Sequence, residues 1–273
     1  MRTAVVGHVE WVEFARVERV PVSGEIAQAI EVWAEPAGGG GVASVQLARL
    51  AGECTLLTAL GREELGERAL TRLTSLGVRV EARRHEEPQR RGFTFVDAAG
   101  ERTITIIGPK HVPHGADDLG WERLAETDAV YFVSGDAAAV RAARRARVLV
   151  ATARVLPVLA EAGVELDALV RSGRDRDERY EPGDLDPPPR LAVATAGADG
   201  GVWTTADGRS GTYESQPLPG ELEDSYGAGD SFAAGLTYAL GRGEKVEGAI
   251  AFAAACASAA LARRGAHGRP DNS

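Results

Sequence analysis

Apolar and polar positions follow two different periods along the chain, and the places where the period changes mark its elements. Thr3 to Val9 is a near-continuous apolar run of strand length that closes at Gly7-His8. Val12, Phe14, Val17 and Val20 then interleave with Glu13, Arg16, Glu18 and Arg19 at roughly period two, predicting a strand with one wet face ahead of a turn over Pro21 to Glu25. A glycine-rich stretch opens a helix within Ala37 to Leu50. Cys54 to Leu60 is an apolar strand, Glu67 to Leu76 a helix stopped by Gly77, and Val78 to Val80 a short strand. Phe93 to Asp97 and Arg102 to Ile107 flank Ala98 to Glu101, which is the pattern of a hairpin.

Beyond Pro109 and Pro113 the pattern turns regularly α/β. Strands are predicted at Ala129 to Val133, Arg147 to Ala151, Leu166 to Val170, Leu191 to Ala196 and Val202 to Thr205, with helices at Asp136 to Arg145 and Leu156 to Ala162. Strands alternating with helices imply a parallel sheet covered on both faces. Arg171 to Tyr180 is dense in charge and reads as a solvated loop. Phe232, Leu236, Ala239 and Leu240 share one helix face before Gly241, and the alanine-rich run from Ala249 to Ala262 makes a last packed helix. The fold class is therefore α/β, a mainly parallel central sheet flanked by helices with a small β-sheet inserted. Residues 1–9, 36–84 and 111–273 make the core, and 10–35 with 85–110 the inserted sheet.

Composition narrows the partners. The 273 residues carry a formal net charge of −9, which argues against bulk nucleic-acid binding while leaving room for a local basic pocket. No apolar run reaches membrane-spanning length, and the N-terminus begins as a strand instead of a signal peptide, so a cytoplasmic location is expected. Cys54 and Cys256 read as buried free thiols, and the histidines form no zinc pattern.

The stretch with chemistry in it is Asp224-Ser225-Tyr226-Gly227-Ala228-Gly229-Asp230, between a polar loop and a helix. Glycines opening a helix bring bare N–H groups to a ligand, a natural anion site. Asp230 has two readings at this point: a cap for the helix, or a base beside the anion pocket. Gly38 to Ala43 also fits a loose dinucleotide fingerprint, although Glu35-Pro36-Ala37 before it does not read as a buried strand.

The Asp224 to Asp230 stretch resembles the C-terminal signature of the ribokinase-like (PfkB) carbohydrate kinases, Asp-Thr-x-Gly-Ala-Gly-Asp, with Ser225 in place of Thr. The resemblance implies Asp230 as catalytic base, with the backbone of Gly227, Ala228 and Gly229 as the hole for the transferred phosphoryl group. It makes the inserted sheet a lid over the sugar, Gly38 and Gly39 a backbone contact to that sugar, and the turn from Thr195 through Gly197 to Gly200, with Asp224, the nucleotide side. Three positions depart from the family pattern. Val12 stands where a sugar-gripping Asp is usual, leaving Glu10 or Glu13 as substitutes. Ala43 stands where an Asn is usual. Ser172-Gly173-Arg174-Asp175 replaces Asn-x-x-Glu, with Asp175 left to support a hydrated Mg²⁺. The expected activity is ATP- and Mg²⁺-dependent phosphorylation of a hydroxyl on a sugar-like or nucleoside-like molecule; the alternatives are a catalytically weakened ligand-binding or regulatory relative and, from Gly38 to Ala43 alone, a nicotinamide-dependent oxidoreductase. The exposed edges of the lid sheet make a homodimer an expectation too.

Overall fold

The first apolar run forms β1 (Thr3–Val6), buried along its length, after which the chain leaves the core to build β2 (Glu10–Arg16) and β3 (Glu31–Ala37). In the computed structural model, which describes residues 1–269, it returns with α1 (Gly38–Ala51), β4 (Cys54–Gly61), α2 (Glu64–Ser75) and β5 (Val78–His85). A second excursion makes β6 (Arg91–Val96) and β7 (Arg102–Ile107). The rest alternates: β8 (Ala129–Phe132), α3 (Ala137–Ala143), β9 (Val148–Thr152), α4 (Leu156–Ala162), β10 (Ala168–Ser172) and β11 (Leu191–Thr195), then β12 (Gly201–Thr205), β13 (Ser210–Tyr213), α5 (Ala228–Gly241) and α6 (Val246–Leu261).

The large sheet runs β13-β12-β11-β10-β9-β8-β1-β4-β5. It is parallel from β5 to β11 and antiparallel over its last two strands. Its central strands read as apolar runs because both faces are covered: Val5 packs with Leu47, Phe232 and Leu236 on one face, and Ala4 and Val6 with Phe132, Val140 and Leu159 on the other. β1 pairs with β4 on one side and with the later strand β8 on the other. Strand order reverses there, and the crevice beyond the carboxyl ends of such strands is where an open α/β sheet accepts ligands.

The smaller sheet has the order β3-β2-β6-β7. It docks through Phe14, which stacks on Trp33 at 4.9 Å and meets Tyr226 edge-on at 5.0 Å. β2 has less of a wet face than its alternation predicts, since Arg68 of α2 lies 4.6 Å over the buried Trp11 ring. β3 was not legible as a strand at Glu35-Pro36-Ala37, and the structure corrects this. Pro36 is tolerated because β3 is an edge strand, where a missing N–H breaks no ladder bond. β5 pairs with β4 as far as His85, well past Val80, so the expected boundaries at 35/36 and 84/85 fall inside β3 and β5, while residues 270–273 lie outside those described. No helix among the described residues is long and apolar enough to cross a membrane.

Replacing Phe14 by Ala removes a fully buried ring from this dock. The expected cost is about 3–5 kcal/mol, read as a lower urea midpoint, against a change within about 0.5 kcal/mol for Ile104→Ala on the exposed strand β7.

Candidate active site

Four chain segments end at the reversal point. Beyond β1 lie Gly7 and His8, beyond β8 lie Val133 and Ser134, and the N-termini of α1 and α5 arrive from the lid and from the polar loop. Backbone contact sets the spacing: Gly40 N donates to His8 O at 3.0 Å, and a methyl group on Gly40 would sit 2.6 Å from that oxygen. On Gly39 it would lie 2.6 Å from Val133 Cγ1 and 3.0 Å from Asp230 Oδ1. Gly39 thus packs directly against the Asp230 carboxylate, and the open gap of the site lies beside it, over Gly229.

Gly227 caps α5 in the left-handed region at φ +75 with no side-chain capping bond. The first backbone bond into the helix runs from Ser231 N to Gly227 O at 2.9 Å. The N–H groups of Ala228, Gly229 and Asp230 therefore have no partner among the described residues, and nothing stands within 4 Å of a methyl group placed on Gly229. Asp230 lies in the first turn and does not cap it, which sets aside the capping alternative. Three bare amides at the positive end of a helix make an arrangement that can receive an anion.

Burial pushes the Asp230 carboxyl up to about 6, with the Glu178 charge adding to the rise; Arg102 and Arg154 pull the other way, and Glu10 contributes a smaller push. Glu10 is buried at the start of β2, and its pKa is raised by that burial against the pull of Arg90. Arg90 Nε lies 2.8 Å from Glu10 Oε1, off the line of a straight hydrogen bond, so the contact is an ion pair. His8 bonds to Ser134 Oγ at 3.1 Å and is held neutral by burial, with Lys110 and Arg90 adding to the effect. Gly38 packs against both residues: a methyl group there would meet Glu10 Cγ at 3.1 Å and His8 Cδ2 at 3.2 Å.

Not every expected residue faces this gap. Asp224 is completely buried, and its two oxygens accept from Tyr226 N at 2.9 Å and Gly265 N at 2.6 Å, stapling its own loop to the segment after α6. Ala43 is completely buried in the apolar core and offers a substrate nothing polar. Thr195, Gly197 and Gly200 lie at the carboxyl end of β11, where Ala196 N to Gly200 O at 2.7 Å closes the turn. Arg174 reaches over Gly197 and pairs with Asp199 at 2.6 Å, giving that turn a cation.

The charge-dense segment is no plain solvated loop. It forms a turn of 3₁₀ helix at Arg176–Glu178 that folds Glu178 back, so that Ser172 N donates to its carboxylate. Arg154, just past β9, bridges Glu178 and Asp175, the latter at 2.7 Å. Asp175 also accepts from Asp177 N at 2.9 Å, and this bond together with Arg154 holds its carboxyl below the usual range. Both carboxylates are thus already occupied, and the described residues contain no group of three or more His, Cys, Asp or Glu able to hold a metal. The side chains present do not fit a Mg²⁺ held by protein ligands alone, and a hydrated ion beside Asp175 would share that carboxylate with Arg154. The charged residues acting on Asp230 that the sequence did not mark are Arg102, Lys110, Arg154 and Glu178. They come from four separate segments without common spacing, so only the fold brings them together.

The whole-chain comparisons agree with this geometry. The profile of the pfkB family carbohydrate kinases matches residues 2–169 and 186–272. The chain is 28% identical to an ATP-dependent ribose-1-phosphate kinase from Halopiger xanaduensis, over 99% of this chain and 95% of that one. In fold it is similar to a ribokinase from Thermotoga maritima (TM-score 0.76, 20% identity, 97% of this chain and 94% of the other). The adenosine kinase from Sinorhizobium meliloti is comparably similar (TM-score 0.75, 19% identity, 98% and 95%). The fold is that of the ribokinases, and the chain belongs to the pfkB family of carbohydrate kinases, phosphotransferases that act on sugars.

Proposed function

We propose that the protein transfers the γ-phosphoryl group of ATP to a hydroxyl of a small sugar or sugar-like acceptor, with Asp230 as the base and the Gly227 to Gly229 backbone as the anion hole. The observation that carries the reading is the pairing of a carboxyl raised to about 6 with three unclaimed amides on the same helix turn. The acceptor hydroxyl sits in the gap beside the Asp230 carboxylate and passes its proton to Asp230 as its oxygen bonds to the γ-phosphorus. The bond from that phosphorus to the bridging oxygen breaks, and its electron pair leaves with ADP. The products are ADP and a phosphate ester, and the proton leaves Asp230 to water once the ester departs.

A base near 6 is ionised at neutral pH yet basic enough to accept a proton in the transition state. The amides at the start of α5 meet the charge on the transferred group without reorganising. The adenylate side falls to the Thr195 to Gly200 turn, with Arg174 beside it. Mg²⁺, when present, offsets phosphate charge and travels on the nucleotide with its own waters; no step here is assigned to it. An intact base with open amides favours turnover over a binding protein that has lost it. The kinases similar to this chain include enzymes named for ribose 1-phosphate and adenosine, so ribose-containing acceptors are the first to assay.

Asp230→Asn is expected to lower kcat by roughly 10²–10⁴-fold while ATP still binds by calorimetry; a wild-type kcat in this variant would remove Asp230 from the chemistry. The pH profile gives a separate check. Activity requires ionised Asp230, so kcat/KM rises as pH increases through about 6. Glu178→Gln removes a negative neighbour and releases Arg154, both of which favour the ionised form, and the acidic limb is expected to move to lower pH.

A further inference from the structure

α1 opens without a cap of its own. Ala37, at the cap position, makes no side-chain capping bond, and the first N–H groups of a helix have no partner inside it. Gly40 N finds His8 O at 3.0 Å. Gly38 N donates at 3.3 Å to the hydroxyl of Tyr226, a residue 188 positions further along the chain. Gly39 N, between them, has no partner among the described residues.

Tyr226 is itself fixed from several sides. Its ring meets Phe14 of the lid edge-on at 5.0 Å and shares a buried cluster with Val12 and Val42. Its main-chain N donates to Asp224 at 2.9 Å, and the next residue, Gly227, is the left-handed cap of α5. A methyl group on Gly227 would lie 2.9 Å from Val42 Cγ1, so the loop before α5 sits directly on α1. The two helix starts are therefore joined twice: at Gly39 against the Asp230 carboxylate, and at Gly38 through a phenol.

Packing alone does not require the phenol oxygen. A phenylalanine would fill the same space without burying a hydroxyl whose proton has no acceptor among the described residues, and an unsatisfied buried donor is unfavourable. Burial, with the Glu10 charge adding to it, pushes the phenol above its ordinary range, so the group stays neutral and exchanges no proton near neutrality. What the oxygen does is accept from Gly38. That glycine stands at φ +74, a backbone state with no side chain to hold it. It also touches both polar residues beyond β1, since a methyl group there would meet Glu10 Cγ at 3.1 Å and His8 Cδ2 at 3.2 Å. The signature Asp-Thr-x-Gly-Ala-Gly-Asp leaves this position open, so the motif gives Tyr226 no part.

We infer that the Tyr226 hydroxyl is a positioning group for the transfer: by capping α1 at Gly38 it sets the start of that helix, and the acceptor lying along it, against Asp230 at the start of α5. This rests on the kinase reading and deepens it. The phenol touches neither the transferred group nor the base; it acts through Gly38, and its ring ties the same point to the lid.

Tyr226→Phe removes the oxygen and keeps the ring. With whichever of ribose, ribose 1-phosphate and adenosine turns over fastest, kcat is expected to fall by about tenfold or more and KM for that acceptor to rise, since a misplacement of about 1 Å can cost on the order of 10²-fold. KM for ATP and the acidic limb of the pH profile should stay in place. Phe14→Leu loosens the same cluster and leaves the hydroxyl alone, so it should lower the urea midpoint while keeping kcat. A wild-type kcat in Tyr226→Phe, a loss confined to KM for ATP, a displaced acidic limb, or an equal fall of kcat in Phe14→Leu would each overturn the assignment. Absence of ADP release from the wild-type chain with all three acceptors would instead sink the kinase reading. The tie is then judged on amide exchange at Gly38, followed by NMR: faster exchange in Tyr226→Phe keeps it, and an unchanged rate removes it.

Discussion

Everything in the cleft depends on how closely two helix starts can approach the end of β1. Gly40 lies against His8 O and Gly7, and Gly39 against Val133 and the Asp230 carboxylate, at separations that exclude even a methyl group. This approach delivers two sets of N-terminal backbone groups to one point, beside the place where strand order reverses. A bulkier residue at either position would have to push α1 away from the sheet and from the Asp230 carboxylate.

Around that gap the charges are arranged in opposition. Burial and Glu178 raise Asp230 while Arg102 and Arg154 restrain it, and Arg154 is itself tied to Asp175 and Glu178. The proposed base is therefore linked to a chain of ion pairs reaching back to the turn after β10. Neutral His8 and the Glu10–Arg90 pair line the other side. One carboxyl is left with its pKa raised to about 6 among charged neighbours, which suits the acid–base role proposed for it.

Much of this was legible in the chain. The parallel core announced itself through apolar runs, and the glycines before Asp230 marked the loop whose amides open α5 without partners among the described residues. What stayed hidden was whatever depends on contacts distant in sequence. Glu178 looked like one charge among many until the chain folded it onto Ser172 N. Arg90 and Lys110 are separated by the whole β6–β7 hairpin. Asp224 carried the right residue type for a ligand contact, and only the positions of Gly265 N and Tyr226 N reveal that both its oxygens are spent. β3 was masked by Pro36, a residue whose cost depends on whether the strand has a neighbour on that side.

The segment that follows α6 has a further consequence. Arg264 lies 4.8 Å over the Trp33 ring whose stacking partner is Phe14, Gly265 N holds Asp224, and Ala266 N donates to Glu35 at 2.8 Å. These three consecutive residues fasten the outermost lid strand to the loop before α5. The rim of the cleft and its floor are thus moored to the same short tether, and a change in the tether's length or direction would be felt at both as one mechanical event.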